Sequence, residues 1–223
     1  MGIYDDSRKD VLEACLWLSQ QGYFGALRGT GGNVSVRIGG RDAMAVTPTS
    51  IGYASLTPED ICICDLSGVL LEGRRAPSIE AGMHGAIYRT RPDVNAVVHT
   101  HQVYGSIFAV LNLPVPALFD EAALLLGESV EVAPYAFSGT PELAANVASR
   151  LNSATNACIL QNHGVVTLGG TLDKALLAAE LLEKVAHVYY MALATGRPVS
   201  TLPEETLRRV RELRAQGASP GRP

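Results

Sequence analysis

Two histidines, His99 and His101, stand two positions apart in the stretch VVHTHQVYG. The apolar residues before them read as a buried β-strand, and in a strand side chains at i and i+2 leave on the same face. A third histidine, His163, follows a second apolar run, ACILQ, within Asn162-His163-Gly164, and Glu80 opens a helical segment just after Pro77-Ser78. Three neutral imidazoles around one open position are a common catalytic arrangement for Zn2+, and a nearby carboxylate then serves as general base or as a temporary fourth ligand. Each residue also has a plainer reading. His163 can be a turn residue bonded to its own backbone. Glu80 can be a first-turn carboxylate favoured by the helix dipole, with His84 as its i+4 surface partner. His84 and His187 read as structural, the latter beside Tyr189 and Tyr190 in a long helix. The loop Gly29-Thr30-Gly31-Gly32-Asn33 lacks the ending of a P-loop and the spacing of a dinucleotide fingerprint, so alone it does not specify phosphate.

The surrounding pattern must supply elements that hold these groups. Helical periodicity runs over residues 5–22 and stops at Gly22. Short strands are expected at VSVRI, AMAVTP, ICICD and VLLEG, with Gly39-Gly40 and Ser67-Gly68 turning two hairpins. In ICICD, Cys62 and Cys64 alternate on one face and read as packing. A helix over 79–91 ends at Pro92, the strand NAVVHTH follows, and VYGSIFAVL is helical again. Further strands are expected at 130–136 and 157–168, a helix at 141–151 between them, and a long helix over 172–196. Hairpins followed by alternating helices and strands predict an α/β fold, a three-layer α/β/α sandwich with an antiparallel-rich sheet. The domain is expected to span 1–214, with a disordered tail over 215–223.

Composition narrows the function classes. The 223 residues carry 18 Lys and Arg against 22 Asp and Glu, and no basic run, so a nucleic-acid partner is not expected. The amino terminus has no apolar signal core, and the apolar runs are too short for a membrane span. Four cysteines show neither zinc-ribbon nor secreted-framework spacing. The expectation is a soluble, reduced, cytoplasmic protein.

Taken in order, GTGGNVS, AVTPTSIGY, PSIEAGMHGAIYRTRPDVNAVVHTH, APYAFSGT and LQNHGVVTLG closely resemble the class II aldolase/adducin family, over roughly residues 7–195. The family includes sugar-phosphate aldolases and 4-epimerases. The resemblance implies an α/β/α sandwich with a central, mostly antiparallel sheet, a homotetramer, and a zinc ion near a subunit interface. It also implies that His99, His101 and His163 are the metal ligands, and that Glu80 is the acid/base that ligates the metal in the free enzyme. Imidazole ligands also accept Mn2+ or Co2+. The implied reaction is metal-assisted retro-aldol cleavage of a small ketose phosphate, giving dihydroxyacetone phosphate and an aldehyde.

The resemblance further implies a phosphate pocket built from three short loops, here Gly32-Asn33, Thr49-Ser50 and Ser78-Ile79. Ile79 replaces a hydroxyl donor. One lost hydrogen bond to a charged group is worth about 1.5–3 kcal/mol, which weakens phosphate binding without abolishing it. That change favours a second reading, metal-dependent decarboxylation of a hydroxy- or oxo-acid; sugar-phosphate epimerisation, dehydration or a non-catalytic adducin-like module are further family outcomes. Where the fuculose-phosphate enzymes carry a tyrosine, this chain has Asp120 and Glu121, either a second acid/base or solvated loop carboxylates. Tyr135 and Phe137 are expected either to line the pocket from a neighbouring subunit or to pack within a strand.

Overall fold

Side-chain alternation decides which face of the sheet each residue serves. The computed structural model describes residues 2–25, 31–151 and 155–216. Gly29 and Thr30 of the glycine loop, and positions 217–223 of the expected tail, lie outside them. The strands are β1 (Gly32–Arg37), β2 (Ala43–Val46), β3 (Cys62–Asp65), β4 (Leu70–Glu72), β5 (Ala96–Thr100), β6 (Val115–Pro116), β7 (Ser129–Val130), β8 (Val132–Ala133), β9 (Ala157–Leu160) and β10 (Gly164–Gly169). The helices are α1 (Asp5–Gln20), α2 (Ala81–Thr90), α3 (Val103–Leu111), α4 (Asp120–Leu125), α5 (Pro141–Arg150), α6 (Leu172–Ala194) and α7 (Glu204–Ala215).

Eight strands form one sheet in the order β4-β3-β2-β1-β5-β10-β9-β8, and only the β8–β9 pair is parallel. Both expected hairpins are present, β1 with β2 and β3 with β4. Residues of opposite parity enter opposite layers. Cys62 and Cys64 pack with Met83, Ile87 and Val147 of α2 and α5, whereas Ile61 and Ile63 pack with Val11, Cys15 and Leu18 of α1. On β9 and β10, Cys158 and Val166 join the α2–α5 layer, while Ile159 and Val165 meet α3 and α6. The result is the expected three-layer sandwich. Among the described residues, no helix is long and apolar enough to cross a membrane.

Several expectations need correction. The run 130–136 is two short strands followed by unpaired chain, because Pro134 removes a ladder donor. The stretch 157–168 is broken at residues 161–163 by a turn in which Asn162 takes a left-handed φ of 55°. FDEAALLLG is not a loop: it contains α4, with Asp120 and Glu121 in its first turn. Ala215 closes α7 rather than opening a tail. That helix is amphipathic, and Val210 and Leu207 cover Ala117 and Ala123.

One polar cluster ties the β2–β3 connection to the loop before α2. Asp60, its side chain 3% exposed, accepts from Arg74 Nε at 2.9 Å and Arg75 Nε at 2.8 Å, and caps its own turn through the Thr57 N–H. The arginines hold its carboxyl well below the usual carboxylate range. With the folded pKa depressed, this stabilisation is complete above the unfolded value of about 3.9 and is lost as pH falls toward the folded one. Both arginines are half-exposed, which discounts the pair. Asp60→Asn should therefore cost about 1–2 kcal/mol at pH 7, lowering Tm by roughly 2–8 °C. The gap between the thermal melts of the two proteins should begin to narrow below about pH 4 and keep closing as pH falls further; an unchanged gap at pH 3 would refute the assignment.

Candidate active site

The sheet centre places the first of the three histidines. His99 on β5 lies between Asn33 on β1 and Val166 on β10, and its side chain is fully buried. His101 follows two residues later, just past the strand end, its N–H bonded to the Tyr23 carbonyl at 3.0 Å. The β9–β10 turn brings in His163, tethered by Asn162 N–H to the Ala109 carbonyl at 3.0 Å. Glu80 occupies the N-cap position of α2, without a side-chain capping bond, and is buried, so it is neither a surface carboxylate nor the partner of a surface His84.

Their polar atoms converge. His99 Nε2 and His101 Nε2 are 3.1 Å apart, and the ligating atoms of all three histidines lie within 4.8 Å of one another. Glu80 Oε2 is 3.3 Å from His99 Nε2, and Oε1 is 3.4 Å from His163 Nε2. A tetrahedral ion with bonds of about 2.0–2.1 Å separates its ligands by about 3.3 Å, so these spacings are those of a coordination shell. His99 Nδ1 faces the Val165 carbonyl at 2.9 Å and must donate to it, which leaves the Nε2 lone pair pointing inward. Glu80 Oε1 is buried without a hydrogen-bond partner. Inward lone pairs and an orphaned carboxylate oxygen fit a divalent cation.

Protonation agrees. Burial pulls His99 and His101 below the ordinary imidazole range, and His163 down to about 4, so all three are neutral donors at pH 7. Burial pushes the Glu80 carboxyl up, but the facing His99 and His163 and the Asn33 amide outweigh it, and the group stays ionised. Gly164 makes the cluster possible. A Cβ there would collide with the Thr100 carbonyl and stand 2.8 Å from His101 Cδ2. Gly164→Ala should therefore displace His101 and weaken Zn2+ binding about 10–100-fold, read by chelator competition; unchanged affinity would contradict the geometry.

Beside the cluster is a cleft of about 220 Å³ lined by Gly32, Asn33, Thr49, Ser50, Ser78, Ile79, Glu80, His101 and His163, among others. Three loops meet there because short backbone bonds tie them: Thr47 N–H to Val34 O, Thr49 N–H to Ala76 O and Ser78 N–H to Thr47 O. Tyr53 stacks on Phe24 and donates its hydroxyl to the Gly32 carbonyl.

A family model for the class II aldolase and adducin N-terminal domain matches residues 9–190. The chain belongs to the class II aldolase and adducin family. It is 40% identical over 199 residues to an L-fuculose phosphate aldolase of Escherichia coli O6:H1, covering 89% of each chain. It is 37% identical over 183 residues to a 5-deoxy-D-ribulose 1-phosphate aldolase of Bacillus thuringiensis serovar kurstaki, covering 82% of this chain and 84% of that one. A solved L-fuculose 1-phosphate aldolase superimposes with a TM-score of 0.86 at 34% identity, covering 94% of this chain and 96% of that one. The protein is thus an enzyme of the class II aldolase type.

In this class II aldolase-type enzyme, five other residues singled out in the sequence do not line the cleft. Asp120 lines a separate groove with α7, because α4 packs on the α6 side of the sheet. Glu121 pairs with Lys184 at 2.7 Å. Tyr135 and Phe137 are 56% and 72% exposed, so strand packing is not their role. His187 stacks on Tyr104 with ring centroids 3.8 Å apart, as a packing residue should. The sequence reading passed over Ser35 and Tyr88 and set His84 on the surface, yet all three are buried directly behind Glu80; the signal available was their spacing, four on the helix and two on the strand.

Proposed function

We propose that the chain is a divalent-metal-dependent lyase that cleaves a small ketose 1-phosphate to dihydroxyacetone phosphate and an aldehyde. The observation that carries this reading is the convergence of His99, His101, His163 and Glu80 beside a cleft rich in hydroxyl and backbone donors. A cation held by the three histidines, Zn2+ or else Mn2+ or Co2+, supplies Lewis acidity that polarises the ketose carbonyl and offsets the charge left when the carbon–carbon bond breaks. In that cleavage a hydroxyl proton is lost from the departing carbon, and the carbon left behind must gain one. Glu80 is the carboxylate of the cleft and carries the proton. Gly32, Asn33, Thr49, Ser50 and Ser78 bind phosphate through amide, hydroxyl and backbone groups. The Ile79 N–H, with no acceptor among the described residues, adds a donor where its side chain has none.

The active unit is read as a homotetramer. Val103, Val110 and Leu111 of α3 and Val188 and Met191 of α6 are exposed, as are Tyr135 and Phe137, which then serve a neighbouring copy's cleft. Asp120 would reach a substrate only across such an interface. Four buried free cysteines suit a reducing, cytoplasmic setting.

Substrate class is tested with ketose 1-phosphates, their unphosphorylated forms and hydroxy-acids, following dihydroxyacetone phosphate and CO2. Removing the phosphate should lower kcat/KM by about 100-fold or more, the worth of two charge-assisted hydrogen bonds. Equal kcat/KM with and without phosphate would refute the pocket. CO2 release would instead favour the decarboxylase reading, which the Ile79 side chain, 62% exposed at the cleft, supports by offering no hydroxyl.

A further inference from the structure

Polar side chains stand in single file behind Glu80. Glu80, His84 and Tyr88 recur every four residues from the start of α2, and Asn33 and Ser35, two apart on β1, meet them on the facing side of the sheet. Asn33 Nδ2 donates to Glu80 Oε2 at 2.7 Å. His84 Nε2 lies 2.5 Å from Asn33 Oδ1, Ser35 Oγ lies 2.7 Å from His84 Nδ1, and the Tyr88 hydroxyl lies 2.8 Å from Ser35 Oγ. All five side chains are buried.

Chemistry forces the direction of each bond. A carboxylate only accepts, so the Asn33 amide must turn its NH2 to Glu80 and its oxygen to His84. That oxygen only accepts, so His84 Nε2 carries the proton. Full burial keeps the imidazole neutral, its pKa pulled down to about 3, and Nδ1 is left to accept from Ser35 Oγ–H. The Ser35 oxygen is then free to accept from Tyr88 O–H, which also faces the Ser35 backbone carbonyl at 3.0 Å. From Ser35 onward, every donor in the file points toward Glu80. Packing alone would be met by an apolar side chain of similar size; it does not call for an imidazole with both nitrogens bonded.

We propose that His84 is a positioning residue: its Nε2–H locks the Asn33 amide in the one orientation that donates to Glu80, and so fixes the carboxylate against the three-histidine cluster. This rests on the role proposed above for Glu80. Flipping the amide would set its oxygen against the carboxylate, so without His84 the Asn33–Glu80 bond has nothing to select it.

Four variants of the full chain test the idea: His84→Asn, whose amide reaches only toward Ser35; His84→Gln, whose amide reaches Asn33; Asn33→Ala; and the double variant Asn33→Ala/His84→Asn. Zn2+ affinity is read by chelator competition without substrate, and kcat and KM with a ketose 1-phosphate. His84→Asn should lower Zn2+ affinity by about tenfold and kcat by about 10–100-fold, with KM moving less than about threefold. His84→Gln should recover most of both. The double variant should lose no more than Asn33→Ala alone, because His84 acts through that amide. Wild-type metal affinity and kcat in His84→Asn, equal losses in the Asn and Gln variants, or additive losses in the double variant would each overturn the proposal. Glu80→Gln, measured alongside, separates the two ideas: if it too behaves as wild type, the role of Glu80 fails. If it alone is impaired, only the positioning role fails.

Discussion

His99→Ala is expected to abolish stoichiometric metal binding and to lower kcat/KM by roughly 10³-fold or more. A bound cation contributes several kcal/mol of transition-state charge stabilisation, and each 1.36 kcal/mol is a factor of ten in rate. His99 stands at the centre of the cluster: its Nε2 lies 3.1 Å from His101 Nε2 and 3.3 Å from Glu80 Oε2. It is also wholly buried in the middle of the sheet, so truncation leaves a cavity and costs about 2–4 kcal/mol of stability as well. His101→Ala separates the two effects. His101 is partly exposed and lies past the strand end, so that variant should lose the metal with a much smaller fall in Tm. Metal analysis beside a thermal melt reads both. Stoichiometric zinc in either variant at wild-type affinity would remove that histidine from the site.

Glu80→Gln should separate proton transfer from metal retention. Gln keeps the size of Glu, and its carbonyl oxygen still accepts from Asn33 Nδ2, so the local structure is preserved. The three histidines should hold an ion without the carboxylate, so metal content should stay near one per chain with an affinity lowered by about tenfold. An amide cannot carry the proton, and kcat should fall by about 10²–10⁴-fold while KM changes little. In wild-type enzyme, burial pushes Glu80 upward while His99, His163 and Asn33 hold it down, so the carboxylate form is the resting state. Wild-type turnover by Glu80→Gln would assign the proton to another group.

Much of the architecture is legible in the sequence because parity is a local property. Alternating ICICD has to send cysteines to one layer and isoleucines to the other, and it does. The hairpins follow from Gly39-Gly40 and Ser67-Gly68, and α3 begins and ends where VYGSIFAVL does. Strand order is not local. It is set by which faces find partners, and nothing in NAVVHTH announces that β5 will lie between β1 and β10. The same limit hid α4 and α7. Each is too short or too polar to stand alone, and the pair is stable only because Val210 and Leu207 cover Ala123 and Ala117.

At the candidate site, His-x-His was readable as a pair because strand geometry puts both on one face. His163 could be offered as a third ligand from residue type, but only the resemblance assigned it, since nothing local announces that β10 will pair with β5 and bring its turn to His99. His84 was misplaced for a definite reason. Spacing of four from Glu80 on a helix suggests an exposed pair, but Asn33 and Ser35 are alternate residues of a buried strand that draw both side chains inward. Asp120 shows the converse. Its position in the chain suggested the cleft, and α4 instead turns it toward α7.

In the proposed function, the three histidines and Glu80 hold a metal that does the carbon–carbon chemistry on a phosphorylated ketose. That function is tested most directly by stripping the protein with chelator, adding back Zn2+, Mn2+ or Co2+, and following dihydroxyacetone phosphate release from ketose 1-phosphates. The predicted result is no release from the stripped protein and restored release at one ion per chain. Release at the same rate from metal-free protein, or none from any ketose 1-phosphate with every ion, would contradict it.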